Sequence, residues 1–81
     1  MTEESRYVQI FATQYTQKIA YNASGMAEYI GEAKPGVAAG VIGWRIKKLT
    51  YDGTNVTDIQ WADSTNEFVK IWNSRLTYTY G

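Results

Sequence analysis

The sequence predicts an all-β fold: a mainly antiparallel meander, small sandwich or barrel, with one short helix near residues 65–73. Three observations carry this. Aromatic residues make up 15% of the chain, with seven tyrosines and three tryptophans, and threonine is common, which is a strand-forming composition. Two turn-forming stretches, NASG at 22–25 and DGTN at 52–55, each divide two runs of strand length. The closing RLTYTY alternates as a half-buried strand does, with Leu76, Tyr78 and Tyr80 on one face and Thr77 and Thr79 on the other.

Residues 6–17, RYVQIFATQYTQ, admit two readings. Tyr7, Phe11 and Tyr15 recur every four residues, as on one face of a helix. The segment is also rich in β-branched and aromatic residues and has no clear cap, which favours a strand. In a strand, Tyr7 and Phe11 oppose Val8 and Ile10. Both faces are then apolar, and both want cover.

Next come two hairpins. In the first, the arms are 18–22 and 27–33, with NASG as the turn. KPGVAAG then interrupts regular structure, because Pro35 lacks an amide donor and Gly36 permits a turn. WRIKKLTY and VTDIQWAD form the second hairpin around DGTN, the strongest turn signal in the chain. Its apolar parity slips: Trp44 and Ile46 share a face, whereas Leu49 and Tyr51 fall on the other. Either a β-bulge near Lys47 and Lys48 corrects the slip or the sheet is covered on both faces. Trp44, Ile46, Ile59 and Trp61 are expected in one hairpin-centred core. KIAYNASG and KLTYDGTN also align at a spacing of 30, Lys18 with Lys48 and Tyr21 with Tyr51. After a one-residue slip Ile30 and Ala33 match Ile59 and Ala62, a hint of internal repetition. In STNEFVKIW, Ser64 and Glu67 have capping-box spacing ahead of the stripe Phe68, Ile71, Trp72, which predicts the short helix.

At 81 residues the chain is read as one β domain over 18–81, with 1–17 as an N-terminal arm or first strand. It contains no histidine and no cysteine, which removes the usual general base, the thiol nucleophile and the thiolate metal ligands. No enzyme activity, metal or cofactor is expected. Six carboxylates from Glu28 to Glu67 read as solvated acids and turn formers, and Asp52, Asn55 and Asp58 are too sparse for a calcium loop. Zero formal charge gives no general pull toward nucleic acid or anionic lipid, and WRIKK reads as a solvated strand face. GVAAG lacks both the apolar context of a membrane helix and the Gly-Lys-Ser/Thr of a phosphate loop. The opening MTEESR is not read as a secretory signal, and no apolar run approaches the roughly 20 residues that span a bilayer.

EYIGEAKPG, WRIKKLTYDG, WAD and NEFVKIWNSRLTYTY resemble a group of short proteins encoded in tailed-bacteriophage genomes. Their pattern runs Y-I-G-E-A-x-P-G, a variable loop, W-R-I-K-K/R-hydrophobic-x-Y-D, a turn, W-A-D-G, then N-F-x-x-hydrophobic-W-D-x-R and a closing L-T-Y. The resemblance covers about residues 18–80, and 1–17 fall outside it. Ser64 stands where the pattern tends to have Gly, and Asn73 where it tends to have Asp. The resemblance implies a phage protein made in the bacterial host cytoplasm and built into the virion. Capsid decoration comes first among such roles, and a tail or head–tail joining part second. Its partners would be other copies of itself or other virion proteins, in a homo-oligomer or multi-copy assembly.

Residues expected to make partner contacts are Tyr7, Val8, Ile10, Phe11 and Tyr15 in the N-terminal segment, with Tyr78 and Tyr80 at the other end. Two rival readings remain. A carbohydrate- or host-surface-binding module would present Trp44, Trp61 or Trp72 as a stacking platform. A small phage regulator would act on a host protein.

Overall fold

A computed structural model describes residues 14–81. Four strands form one antiparallel sheet in the order β1 (Thr16–Tyr21), β2 (Ala27–Ala33), β3 (Trp44–Asp52) and β4 (Asn55–Trp61). Among the described residues a single 3₁₀ helix, η1 (Trp72–Thr77), follows. The fold is all-β with one short helix, as the composition and turn spacing predict. Thr16 and Gln17, read with residues 1–17 as an N-terminal arm or first strand, belong to β1 together with residues 18–21.

Both hairpins close on the expected turns. Asn22 organises the first: its Oδ1 accepts from the amides of Ser24 (2.9 Å) and Met26 (3.0 Å), while Gly25 sits at φ 82°. In the second, Asp52 pairs with Asn55, which leaves a two-residue loop with Gly53 at φ 66°. That conformation costs glycine nothing and most residues about 1 kcal/mol or more. Residues 34–43 form the loop between hairpins, and the Trp44 indole N–H holds it by donating to the Ala38 carbonyl at 2.9 Å.

β3 itself runs in unbroken register with β2 through Lys47 and Lys48, so the expected bulge is not there. The irregularity lies on the partner strand: Thr50 faces Asp58 and Tyr51 faces Val56, leaving Thr57 extra in β4. The first hairpin does the same, with Ala20 facing Tyr29 and Tyr21 facing Ala27, so that Glu28 is extra. Tyr21 and Tyr51, the residues aligned by the internal repeat, thus mark equivalent bulges, and its one-residue slip comes from the turns, which place five residues between Tyr21 and Ala27 but four between Tyr51 and Val56.

With β3 regular, Trp44 and Ile46 face one side and Leu49 and Tyr51 the other. The first side holds the core: Trp44, Ile46, Ala33 and Ala62 are fully buried, joined by Tyr29 and Trp72. Trp61 pairs with Lys47 and Ile59 with Leu49, so both face away from that core, contrary to the expected four-residue cluster. The tryptophan that completes the core is Trp72, whose ring centroid lies 6.0 Å from that of Trp44. Gly31 on β2 is the floor beneath these two rings.

The capping box does not form, and the helix begins at Trp72 instead. Asp63 and Ser64 both adopt left-handed backbone, φ 52° and 59°, whereas an N-cap needs extended geometry. Thr65 Oγ1 accepts the Glu67 amide at 3.1 Å, and Lys70 forms an isolated antiparallel bridge with Trp44. Lys70 thereby lies beside Trp44, past the end of β4. The predicted terminal strand is reduced to one bridge, Ala62 with Tyr80, because η1 takes up the chain as far as Thr77. Leu76 is exposed, while Tyr78 and Tyr80 pack against the core.

The left-handed backbone at Ser64 is one that glycine adopts freely. Replacing the serine with glycine removes the left-handed penalty but adds freedom to the unfolded chain. Ser64→Gly is expected to stabilise the domain by about 0.5–1 kcal/mol. Thermal melting checks this; a lower midpoint would show that serine makes a compensating contact.

Candidate interaction face

The side of the sheet opposite the core is the candidate site. Cross-strand partners place Gln17, Glu32 and Arg45 in one row and Ile19, Ile30, Lys47 and Trp61 in the next. Leu49 with Ile59, then Tyr51 with Val56, continue it toward the second turn. Nothing among the described residues covers the apolar part. Ile19 is 44% exposed, Ile59 57% and Val56 46%. Ile30, Leu49 and Trp61 are half-buried beside them. On average a β-strand side chain of this kind gains about 1.5–3 kcal/mol on full burial, so this face stores association energy that its own domain leaves unused.

One end of the face is built around Arg45. Its Nε donates to Glu32 Oε1 at 2.7 Å, and Gln17 Nε2 donates to the other carboxylate oxygen at 3.1 Å. The guanidinium lies 4.6 Å from the Phe68 ring centroid, 5.1 Å from Tyr15 and 5.6 Å from Trp61. Tyr15 and Phe68 are themselves 5.1 Å apart. Arginine suits this place because a planar cation can stack on aromatic faces while its edge meets a carboxylate. Lys47 reaches over Trp61 from the next row at 5.4 Å. Arg45→Ala would strand a largely buried Glu32 and uncover three rings. A loss of about 2 kcal/mol is expected, between exposed and buried pairs. Chemical denaturation measures it, and a loss below about 0.5 kcal/mol would mean the cluster does not stabilise this end.

Of the expected contact residues, only Tyr15 is seen on this face. Tyr7, Val8, Ile10 and Phe11 lie outside the described residues. Tyr78 and Tyr80 are engaged within their own domain. The Ile71 amide donates to the Tyr78 hydroxyl at 3.0 Å, and the Tyr80 hydroxyl donates to the Arg75 carbonyl at 2.7 Å with its ring 5.5 Å from Tyr29. Burial pushes the Tyr80 phenol well above its ordinary value, helped by the neighbouring Tyr29 and Tyr78. Outside the face, Lys70 pairs with Asp63, and its hydrogen bond holds that carboxyl below the usual range.

Sequence reasoning missed Ile19 and Ile59 as face residues. The signal was there in the parity slip of β3, which puts apolar residues on both sides of the sheet; the cover on both faces offered as its explanation is not seen among the described residues. The tryptophans also separate: Trp44 and Trp72 are buried in the core, and Trp61 is half-covered. Among the described residues, no group of three or more acidic side chains is placed to hold a metal ion, and no helix is long and apolar enough to cross a membrane. Comparison with protein-family models, curated proteins and solved structures finds no match.

Proposed function

We propose that this chain is a structural protein of a phage particle, with capsid decoration as its first role, acting through protein–protein contacts in many copies. The observation that carries the reading is the apolar, half-exposed sheet face between β1 and β4, two strands with no further strand beside them among the described residues. Such a face gains by burial against another protein, and such edges can accept strand pairing. The resemblance to phage sequences supports the same reading. Its recurring words coincide with the structural essentials: in YIGEA, Tyr29 and Ala33 are core, Gly31 underlies two tryptophans and Glu32 holds Arg45.

A saccharide-stacking module is less well supported, since two of its three candidate tryptophans are inside the core. Mass spectrometry of purified particles of the encoding phage tests the proposal. A virion part is present at many copies per particle. Its absence from washed particles, with abundant protein in the lysate, would overturn the reading in favour of a regulator.

A further inference from the structure

We infer that the apolar sheet face receives the N-terminal segment, residues 1–13, of a neighbouring copy. This rests on the multi-copy reading above and adds the two surfaces that meet. Three observations point to this occupant. The first is chemical match: the segment brings Tyr7, Val8, Ile10 and Phe11, and the face offers Ile19, Ile30, Leu49, Val56, Ile59 and Trp61. The second is length. Thirteen residues span at most roughly 45 Å, which exceeds the ~23 Å of a seven-residue strand such as β4.

The third is the direction in which the chain leaves. Tyr15 continues β1 on the same face as Ile19, beyond the last β1–β2 pair, Thr16 with Ala33, and its ring is held there by Arg45 and Phe68. To cover its own sheet, the segment would have to reverse at once. Residues 6–17 contain no Gly, Pro, Asn or Asp, the residues that make tight reversals. This composition favours a neighbour's face over its own as the surface the segment meets. Exchanged both ways between two copies, this contact closes a two-fold dimer; passed on in one direction, it runs into rings or open arrays.

The test uses full-length chains and two single substitutions, Phe11→Glu on the segment and Ile59→Glu on the face. Sedimentation velocity over a range of concentrations should show wild-type chains associating reversibly. Each variant alone should remain monomeric at concentrations at least tenfold higher. Mixed in equal amounts, the two variants should form a 1:1 dimer and nothing larger, since the pair retains one intact segment and one intact face. Wild-type chains that stay monomeric throughout, or a mixture that stays monomeric, would overturn the inference, the latter favouring cover in cis. Either result leaves the particle assignment to mass spectrometry, so the two failures are distinguishable. Should a variant lose its β-sheet circular dichroism, engineered cysteines replace it, because the chain has none of its own. Val8→Cys and Ile59→Cys chains of different tagged lengths should give a mixed disulfide dimer more readily than Val8→Cys with a Thr54→Cys control. Equal yields with the control would overturn the inference.

Discussion

Trp44→Ala is expected to leave the domain largely unfolded at room temperature. Trp44 is fully buried, and its ring packs against Trp72 and over Gly31. Its backbone bridges to Lys70, and its indole N–H ties down the 34–43 loop through Ala38. Truncating a core tryptophan commonly costs about 3–5 kcal/mol, and a chain of this length has roughly 4–12 kcal/mol in total. The midpoint should fall by about 15–30 °C. Trp44→Phe separates the two contributions. It keeps much of the ring but loses the Ala38 hydrogen bond, and should cost about 1 kcal/mol for that bond besides the smaller packing loss. A Trp44→Ala protein melting within a few degrees of wild type would mean the core lies elsewhere.

Gly31→Ala is expected to destabilise the domain by about 2–3 kcal/mol, and Gly31→Val by more. The sign is the informative part. Glycine inside a strand is ordinarily a weakness that alanine repairs by about 0.5–1 kcal/mol. Here a Cβ would lie 2.5 and 2.8 Å from two ring carbons of Trp72 and 3.1 Å from one of Trp44. Neither partner yields easily: the rings are rigid and buried, and Gly31 is paired on both sides, with Lys18 and Ile46. Near-ultraviolet circular dichroism should change along with the melting point, because the tryptophan pair must separate. Gly31→Ala made in a Trp72→Leu background should cost much less, since the ring it strikes is gone. If alanine costs the same with and without Trp72, the penalty belongs to the backbone rather than to that contact.

Local chemistry made much of the fold legible. Asn22, Gly25, Asp52 and Gly53 mark turns because side-chain acceptors and positive φ are properties of single residues, and the strands between them followed. What was not legible depended on pairing at a distance. Ser64 and Glu67 have helix-start spacing, but the antiparallel bridges of Lys70 to Trp44 and Ala62 to Tyr80 hold the chain extended on both sides of them. Trp61 and Trp44 look alike in sequence. Only the register of β3 against β4, shifted by the extra Thr57, sends one to the core and the other to the opposite face. The Arg45 cluster was hidden for the same reason: WRIKK reads as a solvated strand until Tyr15 and Phe68, far apart in sequence, meet over it.

The central claim is that one face of this sheet folds the domain and the other joins copies to one another on the particle, so that loading depends on it. Binding of purified protein to particles grown without its gene tests this most directly, with Ile59→Glu compared against wild type. Ile59 is 57% exposed on an outer strand, so the variant should keep its melting behaviour. The account predicts a folded Ile59→Glu protein that fails to load onto particles that wild type fills. A folded variant that loads to the wild-type copy number would contradict it.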